Sequence, residues 1–142
     1  ALNEGKVTSD TIFNCENGQY HYGSKVLHDV HPYGKLTMEE VIVKSSNIGT
    51  VKISQTLEPA IFQSYVENFG FGKPTGVDLP GEASGYTRPP SQWSKTSPYN
   101  IPIGHEIMVT ALQVTAAMGV IANGGNLMKP YIIEEIKNDN LL

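Results

Sequence analysis

The stretch Val43-Lys44-Ser45-Ser46-Asn47-Ile48-Gly49 stands at a break between two helical patterns. Upstream, Thr37-Met38-Glu39-Glu40 has capping-box spacing, with Thr37 at the N-cap and Glu40 at N3. Leu36 supplies an apolar residue just before it, and the helix is expected to run through Val41, Ile42 and Val43 to about Ser45. Downstream, residues 47–57 read as a second helix with Ile48, Val51 and Gln55 on one face and Ile53 and Leu57 beside it. This helix is rich in β-branched residues, so packing rather than propensity must hold it. Ser45 and Asn47 place a hydroxyl and a carboxamide two positions apart. Both reach one cavity if the break turns them the same way. The hydroxyl can relay a proton, and the carboxamide offers a donor and an acceptor. On the tripeptide alone, capping of the second helix by Ser46 or Asn47 is the commoner use of such residues.

Working outward, Pro59 opens a third helix at its first turn. Ile61, Phe62, Tyr65, Val66 and Phe69 form its apolar stripe, and Gly70 ends it. Short helices with short breaks imply a compact helical subdomain. Residues 6–34 read as loops with small strands near residues 11–13 and 19–22. Residues 71–102 are irregular and rich in Gly and Pro, a long surface excursion of the kind that is often functional. A fourth helix is expected over residues 109–122, with Leu112, Ala116 and Gly119 as a narrow face for close packing. Asn123-Gly124-Gly125 makes a turn, and residues 128–136 read as a strand with Pro130 near its edge.

The 142 residues suit one domain, and their formal charge is −4. Arg88 is the single arginine and no basic stripe is visible, which argues against a nucleic-acid partner. The lone Cys15 excludes an internal disulfide. No apolar run approaches the roughly eighteen residues needed to span a bilayer. The start lacks an initiator Met and a signal h-region, and Ala1 to Gly5 reads as the end of a helix closed by glycine, so the chain is expected to be an excerpt. His21, His28, His31 and His105 fall into no zinc spacing, and no HExxH occurs. His105, between Gly104 and Glu106, is an acid–base candidate, although such residues more often pack. Gly70-Phe71-Gly72 and Gly124-Gly125 do not form a phosphate loop. No metal or other cofactor is expected.

Four segments in order resemble the transpeptidase domain of class B penicillin-binding proteins. They are His28-Asp29-Val30-His31-Pro32-Tyr33-Gly34, then Val43 to Gly49, then Phe69-Gly70-Phe71-Gly72-Lys73-Pro74-Thr75-Gly76-Val77-Asp78-Leu79-Pro80-Gly81-Glu82, then Val109-Thr110-Ala111-Leu112-Gln113 leading to Ala122-Asn123-Gly124-Gly125. The resemblance implies an α+β architecture, a partial transpeptidase fold of serine β-lactamase-like type, mainly its helical subdomain plus short strands. It makes Ser45 and Asn47 the outer residues of the SxN motif. In the family a serine in S-x-x-K attacks the D-alanyl-D-alanine carbonyl, its lysine takes the proton, and a KTG strand recognises the substrate carboxylate. By resemblance, Ser45 passes the proton to the departing D-alanine, while Asn47 holds the lysine and the substrate amide.

No serine in the chain is followed by lysine three positions later, and no Lys-Thr-Gly or Lys-Ser-Gly occurs. Residues 1–142 are therefore expected to be a partial transpeptidase domain without those two elements, inactive by itself. His105-Glu106 departs from the small or aromatic residue common at that place. The parent enzyme is expected at the extracytoplasmic face of the bacterial cytoplasmic membrane, held by an anchor absent from this chain. Its implied partners are peptidoglycan stem peptides, β-lactams, a SEDS-type glycosyltransferase and other cell-wall synthesis proteins. A β-lactam sensor, a serine β-lactamase relative and a non-catalytic interaction module are the competing readings.

Overall fold

A computed structural model describes residues 1–135. The elements run β1 Ile12–Asn14, β2 Gln19–Tyr22, β3 Lys25–His28, β4 Lys35–Thr37, α1 Met38–Val43, α2 Asn47–Ser54, α3 Pro59–Asn68, α4 Ser97–Asn100 and α5 Ala111–Ala122. The architecture is α+β. The chain divides into two compact units, one of residues 1–63 with 88–106, the other of residues 64–87 with 107–142.

The first unit is built on two antiparallel strand pairs, β1 with β4 and β2 with β3. The expected strands near residues 11–13 and 19–22 are β1 and β2, and the structure adds their partners β3 and β4. A two-residue turn joins β2 to β3, with Gly23 at φ +59°, a conformation that glycine supplies without steric cost. Cys15, Leu27, Leu36, Val41, Ile48 and Val51 form the buried core, and Tyr20, Tyr22, Tyr33, Tyr99 and Ile103 pack around it. Tyr22 stacks on Tyr99 with ring centroids 4.2 Å apart. The capping box of α1 is complete: Glu40 N donates to Thr37 Oγ1 at 3.2 Å, and Thr37 N donates to Glu40 Oε2 at 2.9 Å. Leu36 and Val41 bracket that cap and share the core, which fixes the angle at which β4 enters α1. Helix α2 ends at Ser54, short of residue 57, and the chain leaves it in turns closed by Thr56 and Leu57 N–H groups.

Gly49 on α2 faces α1. A Cβ there would collide with both Val41 methyls and lie 3.1 Å from Ser46 Oγ. Glycine at this position lets the two helices approach closely enough to bury Val41, Ile48 and Val51 completely.

In the second unit, α5 starts two residues later than expected because Thr110 is its N-cap. Thr110 and Gln113 form a second capping box, with Gln113 N to Thr110 Oγ1 at 3.1 Å and Thr110 N to Gln113 Oε1 at 2.9 Å. The buried face of α5 is Gln113, Ala117 and Val120. It is rotated from the expected small-residue face, and a Cβ on Gly119 would meet nothing within 4 Å. Gln113 is almost fully buried, and its Nε2 donates to Lys73 O at 2.7 Å and Ser84 O at 2.8 Å. One carboxamide thus ties two points of the irregular excursion to the helix start.

Carboxylates order the rest of that excursion. Glu82 accepts from Thr75 N at 2.7 Å, Thr75 Oγ1 at 2.6 Å and Gly76 N at 2.9 Å. Asp78 accepts from Ile132 N at 2.8 Å and Ile133 N at 2.7 Å. These two amides take the place of the strand expected over residues 128–136. Among the described residues no neighbouring strand pairs with residues 128–135, and a strand without a ladder partner leaves its amides for other acceptors. Ile136, the last residue of that expected strand, lies outside the described residues.

Gly49→Ala is expected to cost about 1–3 kcal/mol through overpacking, whereas Gly119→Ala should gain about 0.5–1 kcal/mol from helix propensity; urea denaturation of the two variants checks the opposite signs. The Thr75 side-chain hydrogen bond, with the Thr75, Gly76 and Val77 amides, holds the Glu82 carboxyl below the usual glutamate range. The charged form is the one gripped, so the loop gains from Glu82 above the ordinary glutamate range and loses that gain as pH falls through the lowered value. The Thr75 and Gly76 amide resonances should titrate with a midpoint below that of an ordinary glutamate, and Glu82→Gln should abolish the titration.

Candidate active site

The turn at residues 44–46 is two helix-ending devices placed back to back. At the end of α1, Ser45 N donates to Ile42 O at 3.2 Å and Ser46 N donates to Val41 O at 3.0 Å. This is the bond pattern of a Schellman motif, which needs its C′ residue in the left-handed region. Ser45 occupies that place at φ +52°, a position usually given to glycine. The next residue, Ser46, is the N-cap of α2, and Gly49 N donates to its Oγ at 2.9 Å. Asn47 is the first residue of α2.

The capping role and the displayed groups therefore fall on different residues. Ser46 is fully buried and does the capping, whereas Ser45 is exposed and Asn47 half-buried. Asn47 Nδ2 donates to His28 O at 3.0 Å, at the end of β3. A carbonyl can only accept, so this contact settles the flip of the amide and leaves Oδ1 and one N–H of Asn47 for other partners.

Behind the turn lies Asp29. Its Oδ2 accepts from Ser46 Oγ at 2.6 Å, and its Oδ1 accepts from Ile48 N at 3.0 Å. Ser46 Oγ also lies 3.3 Å from Cys15 Sγ. Burial, and to a lesser degree the Asp29 charge, push the Cys15 thiol up, which keeps it protonated in this wall. Lys44, just before the turn, pairs with Glu40 at 3.5 Å and sits 5.6 Å from the Tyr33 ring centroid.

Sequence reasoning singled out Ser45 and Asn47 but gave Asp29 no role, since its partners are 17 and 19 positions away. The signal was the His28-Asp29 pair itself, set in a segment ahead of the tripeptide. Glu106 was missed in the same way. Its carboxylate accepts from Ser97 Oγ and Asn100 Nδ2, each at 2.7 Å, and pairs with Arg88 at 3.5 Å. The Ser97 and Asn100 hydrogen bonds, with Arg88, hold its carboxyl below the usual range. Glu106 fastens α4, while its neighbour His105 is exposed. Among the described residues no three His, Cys, Asp or Glu side chains come together as a metal site, and no helix is long and apolar enough to cross a membrane.

Residues 1–140 match the penicillin binding protein transpeptidase domain family. Penicillin-binding protein PbpB of Mycobacterium tuberculosis is 39% identical over 135 residues, covering 94% of this chain and 20% of that protein. Stage V sporulation protein D of Bacillus subtilis is 35% identical over 103 residues, covering 72% of this chain and 16% of that protein. The chain thus spans about a fifth of the length of these curated relatives. Among solved structures, the apo transpeptidase domain of Burkholderia pseudomallei penicillin-binding protein 3 superposes with a TM-score of 0.89 at 31% identity, covering 99% of this chain and 42% of that one. Penicillin-binding protein 3 of Mycobacterium tuberculosis, complexed with aztreonam, gives 0.86 at 36% identity, covering 94% and 30%. With four motif segments in order, an α+β fold shared at this level and a family match across nearly all of its length, the chain belongs to the class B penicillin-binding protein transpeptidase domains.

Proposed function

We propose that these residues form the central part of a peptidoglycan D,D-transpeptidase domain and supply its middle catalytic element, Ser45-Ser46-Asn47. The observation that carries this reading is the division of labour in the turn: Ser46 is buried as the cap, and Ser45 and Asn47 are left displayed. A Schellman turn with serine in the glycine position costs stability, of order 1 kcal/mol for a non-glycine residue in the left-handed region. A hydroxyl retained at that cost is consistent with a chemical duty.

In the reaction, the nucleophilic serine of S-x-x-K forms a bond to the penultimate D-alanyl carbonyl carbon. The peptide C–N bond then breaks, and D-alanine leaves with a proton. Ser45 relays that proton from the lysine to the departing nitrogen. Asn47 Oδ1 accepts from the lysine ammonium, and its remaining N–H donates to a carbonyl of the substrate. An amine of a second stem peptide then displaces the serine and forms the cross-link. A β-lactam enters the same path and remains attached, because its leaving nitrogen stays tethered to the acyl group. The nucleophile, its lysine and the KTG strand must come from residues outside these 142, since no S-x-x-K, Lys-Thr-Gly or Lys-Ser-Gly lies within them. The whole protein then acts at the extracytoplasmic face of the bacterial cytoplasmic membrane. There it meets peptidoglycan stem peptides and cell-wall synthesis partners such as a SEDS-type glycosyltransferase.

Two expected outcomes test the proposal. The isolated 142-residue chain should form no stoichiometric covalent adduct with labelled penicillin; an adduct would end the idea that the nucleophile lies elsewhere. In the complete domain, Ser45→Gly keeps the left-handed turn without strain while deleting the hydroxyl. It should fold at least as stably as the wild type and acylate about a hundredfold or more slowly, the scale of a lost acid–base group. Asn47→Ala should be similarly slow.

A further inference from the structure

After α5 the chain turns back across the start of the irregular excursion. Asn123 and Asn126 tie the near end of this return: Asn126 N donates to Asn123 Oδ1 at 2.9 Å, and Asn123 Nδ2 donates to Asn126 O at 2.8 Å. Asp78 ties the far end through the Ile132 and Ile133 amides. Between the ties, Leu127 lies against Gly70 and the Lys129 stem against Gly76. A Cβ on Gly70 would stand 3.2 Å from a Leu127 methyl, and one on Gly76 would stand 3.5 Å from Lys129 Cε. Both glycines are left-handed, at φ +88° and +80°, so a side chain at either place would also be strained. The return and the excursion enclose a cavity of about 390 Å³ within the second unit. One wall includes Gln113, whose carboxamide is already fixed by Lys73 O, Ser84 O and Thr110 N. These walls are held by bonds that need no ligand, so the cavity is preformed.

The lining combines an apolar surface with one uncompensated cation. Phe69, Pro74, Leu127 and Met128 supply the apolar part. Leu127 and Met128 remain 48% and 65% exposed, so this wall still faces water and has apolar area left to bury. Of the polar groups, Gln113 is spent as above, and Thr75 Oγ1 donates to Glu82 at 2.6 Å. Glu67 pairs with Lys73 at 3.7 Å. Lys129 makes no ion pair among the described residues. Its charge acts on Asp78, but that carboxylate is already occupied by two amides. A volume of this size, a largely apolar lining and few polar groups are the marks of a small-molecule site. We propose that the cavity binds a small organic carboxylate, with its apolar body against Leu127 and Met128 and its carboxylate at the Lys129 ammonium. This site lies in the second unit, and the proposal is independent of the role given to Ser45-Ser46-Asn47.

The test titrates the complete transpeptidase domain with 4-phenylbutyrate and, separately, with its neutral analogue 4-phenylbutanamide, following backbone amide resonances. The acid is expected to saturate one site with a dissociation constant of about 1 mM or below, the strength open to a ligand of that size. The resonances that move should be those of Gly70, Leu127, Met128 and Lys129. The amide should bind the same place about fivefold more weakly, because it lacks the charge that meets the ammonium. Lys129→Met keeps the stem against Gly76 and removes only the charge, and Lys129 is exposed, so the variant should fold normally. It should weaken the acid about fivefold and change the amide by less than about twofold. Met128→Ser cuts the apolar wall and should weaken both probes alike, by about threefold. Absence of a saturable shift at these resonances up to about 10 mM acid, ten times the expected constant, would overturn the proposal. Equal affinity for acid and amide would do the same, as would an unchanged acid affinity in Lys129→Met.

Discussion

One buried hydroxyl joins three segments of the first unit behind the tripeptide. Ser46 Oγ takes the amide of Gly49, gives its proton to Asp29 and touches Cys15 Sγ. A polar atom fully removed from water must find partners inside the protein, and each partner here belongs to a different segment. The N-terminal strand region contributes Cys15, the end of the β2–β3 hairpin contributes Asp29, and α2 contributes Gly49. The need to satisfy Ser46 therefore fastens the hairpin to the interhelical break. The apolar core of Cys15, Leu27, Leu36, Val41, Ile48 and Val51 then closes around the same point. Core and site are neighbours because the cap that starts α2 is also the middle of the tripeptide.

The two serines show how identical side chains receive different duties from backbone position alone. Ser45, in the left-handed C′ place, is turned to solvent; Ser46, one residue on in extended conformation, is turned inward. The change of backbone region between them separates the display of one hydroxyl from the burial of the next.

Local rules were readable in the sequence because they act over three or four residues. The Thr37–Glu40 box, the stop at Gly70 and the capping of α2 all follow from residue types at fixed offsets, and all are present. Asp29 was not readable as a partner of Ser46 and Ile48, because nothing local connects positions so far apart in the chain. Strands β3 and β4 are no shorter than β1 and β2, but Lys25-Val26-Leu27-His28 sets two apolar residues side by side and Lys35-Leu36-Thr37 runs straight into the capping box, so neither stands out as a separate strand. The buried face of α5 escaped for another reason: it begins with Gln113, a polar residue that a search for apolar periodicity passes over. The apolar run near residue 130 was read as a strand from side chains alone, whereas its amides are spent on Asp78.

The irregular segments owe their order to three carboxylates, Asp78, Glu82 and Glu106, bound at contact distance to amides, hydroxyls and a carboxamide. Cations add to two of them: Arg88 pairs with Glu106, and Lys129 acts on Asp78 through its charge. Dissolved ions screen charges that stand apart across solvent, but have little hold on a hydrogen bond already made. Added salt should accordingly weaken these loops less than it weakens the exposed ion pairs Lys44–Glu40 and Lys73–Glu67.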